Sequence, residues 1–241
     1  MMKKLIIDQD FWNLFPKAAV GILVLKGVKE NKKLSAKESN EIEALLKGAN
    51  ESAKKHLTSD VISENQVVKV WREAYQKFPT KKGARSSVEN LLKRVLHDNP
   101  VGSILPSVDI TNSISLQYAL PIGAEDLSKI EGDLHLGAMN GDEDFLPHGA
   151  EKPEPPLKGE IAYYDDAGVV CRCLNWRDGQ RTEITDDTTR EFIAMECVEP
   201  ERVDELKAAL KELADLMAKY LEAEVVTQDI LSMDHPETNL E

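Results

Sequence analysis

The chain has 241 residues, 41% hydrophobic and 30% charged, the balance of an ordinary globular protein with enough sequence for one large domain or two small ones. No run approaches the roughly 18 apolar residues of a membrane helix, and the N-terminal MMKKLIIDQDFW offers only Leu5–Ile7 as an apolar run, too short for a signal peptide, so a cytoplasmic protein with no membrane partner is expected. Lys and Arg number 30 against 43 Asp and Glu, and the net charge of −13 repels a polyanion: no DNA partner is expected, and any RNA contact must come from a local basic patch.

Taken in chain order, residues 18–28 (AAVGILVLKGV) form an apolar run that reads as a buried strand ending near Gly27. Three Ser-x-x-Glu/Gln capping boxes then announce helices. Ser35 and Glu38 open one with Ile42, Leu45, Leu46 and Ala49 at helical spacing. Ser63 and Gln66 open a second with Val67, Val70, Trp71, Ala74 and Tyr75, ended by Pro79. Ser86 and Glu89 open a third with Val88, Leu91, Leu92, Val95 and Leu96, stopped by Pro100.

After Pro106 the segment SVDITNSISLQYALPIG mixes β-branched residues without a clear period, and both helix and strand stay open for it. KIEGDLHLGAM alternates as a strand, with His135 as a strand histidine near the surface. KPEPPLKG, residues 152–159, is a proline-rich loop. EIAYYDDAGVVCRCLNW reads as a hairpin turning at Asp165–Gly168, and EFIAMECV, residues 191–198, as a further strand. Pro200 then leads a long helix whose stripe of Val203, Leu206, Leu210, Leu213, Met217 and Tyr220 is a core-packing face. A polar, frayed tail is expected over 223–241. No internal repeat or break appears, so residues 1–222 read as a single α+β domain: a mixed β-sheet core flanked by helices, with a long C-terminal helix.

The densest chemistry is CRCLNWRDGQRT, residues 171–182. Three cysteines (Cys171, Cys173, Cys197) are an odd number in a chain with no secretory signal, which argues against a disulfide framework. C-x-C without a second pair or a nearby histidine falls short of a zinc ligand set, so no metal is expected. Val169, Cys171 and Cys173 are instead expected on one face of a strand. No nucleophile elbow, zinc-peptidase motif, phosphate-binding loop or dinucleotide fingerprint occurs, and no cofactor is expected.

PSVDITNSISLQYALPI, residues 106–122, resembles the V-D-[VI]-T-N-x-x-x-L-x-x-x-x-P segment of the B3/B4 domain of the phenylalanyl-tRNA synthetase β subunit. SSVENLLKRVL (86–96) resembles the helix before it. GDEDFLPHG (141–149) matches a G-E-x-L-x-x-x-G loop in position, and TTREFIAMECVEPERV (188–203) resembles a T-x-x-x-L-L-E-x-A-x-F-x-P stretch. The resemblance spans 86–203 and fits a freestanding version of that domain.

In the synthetase this domain hydrolyses the ester of a mischarged amino acid. The resemblance therefore implies an aminoacyl-tRNA hydrolase acting in trans, with the tRNA acceptor end and an amino-acid-like small molecule as partners. A non-catalytic binder of the same ligands is the alternative. By resemblance Asn112 positions the water or ester, and Glu196 reads the amino acid, a task that suits a buried carboxylate. Two departures stand out. Gly123 occupies the place of a family histidine, and CLNWRDG replaces a glycine-rich cradle. Asn175, Trp176 and Arg177 line the cavity in one reading, with Arg172 or Arg177 meeting a carboxylate or phosphate and Trp176 offering a stacking face. In the other, Arg177 and Asp178 form a local ion pair and Trp176 covers the core. Lys81, Lys82 and Arg85 form the basic cluster assigned to tRNA contact.

Overall fold

The computed structural model describes residues 3–30 and 33–241. The apolar run near the N-terminus explains the layering. It forms β2 (Ala19–Lys26), apolar on both faces because both faces are covered. Val20, Ile22 and Val24 point into one core, and Ala19, Leu23 and Leu25 into another, as strand alternation requires. Around β2 lies a four-stranded antiparallel sheet in the order β3 (Gly123–Asp126), β8 (Arg190–Cys197), β2, β9 (Glu224–Leu231).

A six-stranded mixed sheet faces it, in the order β10 (Glu237–Asn239), β1 (Lys4–Ile7), β4 (Leu134–Ala138), β5 (Ile161–Asp165), β6 (Gly168–Arg172), β7 (Arg177–Asp178). β1 and β4 run parallel there and the other pairs antiparallel. Leu5, Ile7, Leu134, Leu136, Ile161 and Tyr163 from this sheet meet Val20, Ile22, Val24, Phe192 and Ala194 across the shared core. α1 (Gln9–Leu14), α3 (Gln66–Ala74) and α4 (Ser87–Leu96) add Phe11, Trp12, Trp71, Val88 and Leu92 to that core.

The outer face of the four-stranded sheet carries α6 (Val203–Leu221), joined by α2 (Ala36–Ala53) and α5 (Pro106–Tyr118). The expected stripe of α6 is the buried one: Leu206, Leu210, Leu213 and Met217 pack on Leu23, Leu25, Ile193 and Met195, each burial stabilising by about 2 kcal/mol. Gly21 lets the helix settle, since a Cβ there would stand 3.2 Å from Leu206 Cδ1. The α+β class, the mixed sheet and the long helix are thus all present.

Several local expectations need correction. Only the Ser35 capping box forms, with Glu38 accepting from the Ser35 N–H and Glu38 N–H donating to Ser35 Oγ. α3 starts after Asn65 rather than Ser63, because the Asn65 side chain accepts from the Thr58 and Ser59 amides and donates to carbonyls of the preceding turn. It also ends at Ala74, ahead of Pro79. Ser86 stands at the start of α4, but its hydroxyl does not cap, and Glu89 turns to Arg72 of α3 instead (2.6 and 3.1 Å). The undecided segment after Pro106 is helix α5 followed by strand β3.

Val169 and Cys171 do not share a face. Tyr163 pairs with Cys171 and Tyr164 with Val169, so Val170 is the extra residue of a β-bulge that turns the alternation over. Val169 joins Met139, Phe145 and Ala162, while Cys171 joins the core between the sheets. Finally, the expected frayed tail is structured: β9 pairs with β2 along its length and β10 with β1. Its polar residues are those of edge strands, whose outer faces are half exposed.

Candidate functional site

A cavity of about 10 Å³ lies between the sheets, walled by Gly123, Glu125, Tyr163, Cys171, Asn175, Ala194 and Glu196. Strand pairing puts these residues there. Gly123 lies opposite Ala194 and Glu125 opposite Phe192, so alternation turns them, with Glu196, toward the six-stranded sheet. On that sheet Tyr163, Cys171 and Asp178 occupy one cross-strand row, Tyr163 paired with Cys171 and Cys171 with Asp178. After β6 the chain passes through two left-handed residues, Cys173 (φ 48°) and Leu174 (φ 62°), a conformation that costs about 1–2 kcal/mol each outside glycine. This turn delivers Asn175 to the cavity.

Glu196, 1% exposed, is held at both oxygens: Tyr163 donates its hydroxyl to Oε1 (2.7 Å) and Asn175 Nδ2 donates to Oε2 (2.8 Å). Burial raises its pKa, opposed by these two bonds. Asn175 uses its own oxygen as well, accepting from the Ser87 amide (3.2 Å); it lies 3.3 Å from Tyr75 Oη, whose proton goes to the Cys173 carbonyl (2.6 Å). Glu125 is different. It is 3% exposed, neither oxygen has a hydrogen-bond partner, and burial together with the Asp178 charge pushes its pKa well up. Asp178, exposed as a residue, still turns its carboxylate to the Cys171 thiol; burial raises the pKa of both. The cavity therefore offers an unengaged pair of acceptor oxygens to a proton donor or a cation.

The structure brings Asn175, from the stretch that departs from the family pattern, against Glu196, the position carried over by resemblance. It places the other expected residues elsewhere. Arg172 is 1% exposed and forms a bidentate pair with buried Glu160 (Nε–Oε1 2.8 Å, Nη2–Oε2 2.6 Å), with Nη1 donating to the Glu154 carbonyl. Its guanidinium is engaged within the fold rather than held ready for a ligand. Trp176 covers that guanidinium, its ring centroid 5.8 Å away, with Phe145 also at 5.8 Å. Arg177 is half-buried on β7 and acts on the Glu154 carboxylate. Asn112 stands half-buried on α5, apart from the cavity wall; its helix packs Ile110 and Ile114 with Ile193 and Met195, on the opposite face of β8 from Glu196.

The basic cluster borders a larger, open hollow of about 310 Å³ between α3 and α4, lined by Arg72, Tyr75, Gln76, Thr80, Gly83, Arg85, Ser86 and Glu89 among others. Lys81 pairs with Glu154 of the proline-rich loop, Arg85 reaches Glu89 (3.4 Å), and Lys82 is exposed. Tyr75 lines this hollow and lies 3.3 Å from Asn175 in the cavity wall, so Tyr75 and Asn175 together stand between the two spaces.

Glu125, Tyr163 and Asp178 escaped sequence reasoning because strand pairing between distant segments is what gathers them. Glu125 carries one faint signal, an acidic residue two positions after Gly123, where the resemblance had already marked a family histidine as missing.

A family model described as the B3/4 domain matches residues 70–228. A phenylalanine–tRNA ligase beta subunit from Fusobacterium nucleatum is 28% identical over 164 residues, covering 58% of this chain and 19% of the relative. The chain thus spans about a fifth of the length of that curated relative. Among solved structures, an N-terminal fragment of the phenylalanyl-tRNA synthetase beta subunit from Pyrococcus horikoshii aligns with a TM-score of 0.49 at 13% identity, over 95% of this chain and 55% of that one. No helix among the described residues is long and apolar enough to cross a membrane.

Proposed function

The chain belongs to the B3/4 domain family, and from that premise we propose that it recognises the aminoacyl end of a charged tRNA and releases the amino acid by ester hydrolysis in trans. Glu196 and Asn175 read the amino acid in this scheme, and the exposed side of the Lys81, Lys82 and Arg85 cluster holds the acceptor end. The observation that carries the reading is the position of Asn175. It lines the Glu196 cavity and contacts Tyr75 in the wall of the open hollow, so these two side chains together stand between an arginine-edged hollow and a buried recognition site. Moving Asn175 breaks its bonds to Glu196 and the Ser87 amide, and leaving such buried groups unpaired costs about 1–3 kcal/mol each.

The test is deacylation of a panel of tRNAs, each charged with one amino acid, spanning acidic, basic, aromatic and aliphatic side chains. Release above the spontaneous rate for at least one is expected, weakened by Asn175→Ala; no release for any member overturns the proposal. The second reading, a binder without turnover, is favoured by the engagement of both Glu196 oxygens. It predicts thermal stabilisation by an amino acid or by the aminoacyl end, with the ester intact.

A further inference from the structure

We propose that Glu125, Cys171 and Asp178 form a binding site for a divalent transition-metal ion such as Zn²⁺. Their carboxylate and thiol ligand atoms lie within 4.8 Å of one another, brought together from β3, β6 and β7. Tetrahedral zinc with sulfur and oxygen ligands spaces them roughly 3.4–3.8 Å apart. Side-chain adjustments of about 1 Å would therefore close the set around an ion.

Two further observations point to an occupant. Both oxygens of Glu125 lack a hydrogen-bond partner at 3% exposure, a placement that costs several kcal/mol for an ionised carboxylate. Thr182, 0% exposed and acting on Glu125, also has a hydroxyl without a partner. A cation satisfies Glu125 directly and relieves the repulsion between it and Asp178.

The chemistry selects the class of ion. A thiol among the ligands favours a borderline-soft metal over Mg²⁺ or Ca²⁺, which take oxygen sets. The adjoining cavity of about 10 Å³ is the size of a single small occupant. Three protein ligands leave a fourth position for water or another small ligand. The site stands whether or not the ester chemistry proposed above holds, because it depends on these three side chains and no tRNA.

The experiment is a titration of the full chain with Co²⁺, read by the thiolate-to-metal charge-transfer absorption, followed by Zn²⁺ competition. A saturable band at one equivalent, abolished by one equivalent of Zn²⁺, is expected. Cys171→Ser removes the band, and Glu125→Gln, close in shape and checked for an unchanged circular dichroism spectrum, weakens binding at least ~10-fold. Cys197→Ser, which alters a thiol bonded to the Glu199 carbonyl on the other face of β8, leaves the titration unchanged. Absence of the band, its persistence in Cys171→Ser, or unchanged affinity in Glu125→Gln each overturns the proposal.

Discussion

Replacing Arg172 by Met keeps most of the side chain's length and removes its charge, leaving Glu160 without its cationic partner in a site where its side chain is 0% exposed. Breaking one partner of a buried, hydrogen-bonded pair costs about 3–5 kcal/mol. The cation–π contacts with Phe145 and Trp176 and the bond to the Glu154 carbonyl are lost as well. For a chain of this size 1 kcal/mol moves Tm by about 2–4 °C, so a fall on the order of 10 °C is expected. Urea unfolding followed by circular dichroism should show a lower midpoint at unchanged slope. Adding Glu160→Gln should recover much of the loss, because both charges are then gone while the amide oxygen still accepts from the Leu157 N–H. A loss below about 1 kcal/mol for the single variant would refute the reasoning and return Arg172 to the list of ligand-binding residues.

Three further outcomes follow from the geometry. Asp98 holds φ 50° after α4, where the Asn99 amide bonds the Arg94 carbonyl and the Asp98 amide the Val95 carbonyl in a Schellman arrangement; Asp98→Gly should raise stability by about 1 kcal/mol in the same urea assay. Tyr163→Phe removes a donor from Glu196 while the ring keeps its packing against Phe192, and should lower stability by about 1–3 kcal/mol. Glu191, fully buried, has its pKa raised by burial from 4.5 to about 7. The folded state therefore holds a proton that the unfolded state has released, and its contribution is complete below about pH 4.5 and lost as pH rises through 7. The loss totals about 3 kcal/mol. Glu191→Gln should abolish that part of the pH dependence, seen as a difference between the two stability–pH curves.

Much of the architecture was legible where one periodicity dominated. β2 read as a strand because it is apolar on both faces, and α6 because its stripe repeats over many turns. α5 resisted assignment for a physical reason: Ile110, Thr111, Ser113, Ile114, Ser115 and Leu116 are all buried, so the helix is enclosed on most sides and shows no amphipathic stripe. The strand β9 was misread because EVVTQDIL is an edge strand with a half-exposed face, and its pairing partner lies at the far end of the chain. Glu196 was reachable through the resemblance and Asn175 through one reading of NWRD, whereas Asn112, the resemblance's other position, stands apart from the cavity wall. The bulge at Val170 was not, and it decides which thiol enters the cavity.

The C-terminal strands bear on the order in which the protein can be assembled during synthesis. β2 is flanked by β8 and β9, and β1 by β4 and β10, so the strands made early gain their neighbours only from segments made late. Until Glu224–Asn239 has emerged from the ribosome, β1 and β2 each present an open edge, and apolar β2 is the more hazardous of the two. A nascent chain stalled before residue 224 should therefore bind a holdase chaperone, and release should coincide with emergence of the last strands.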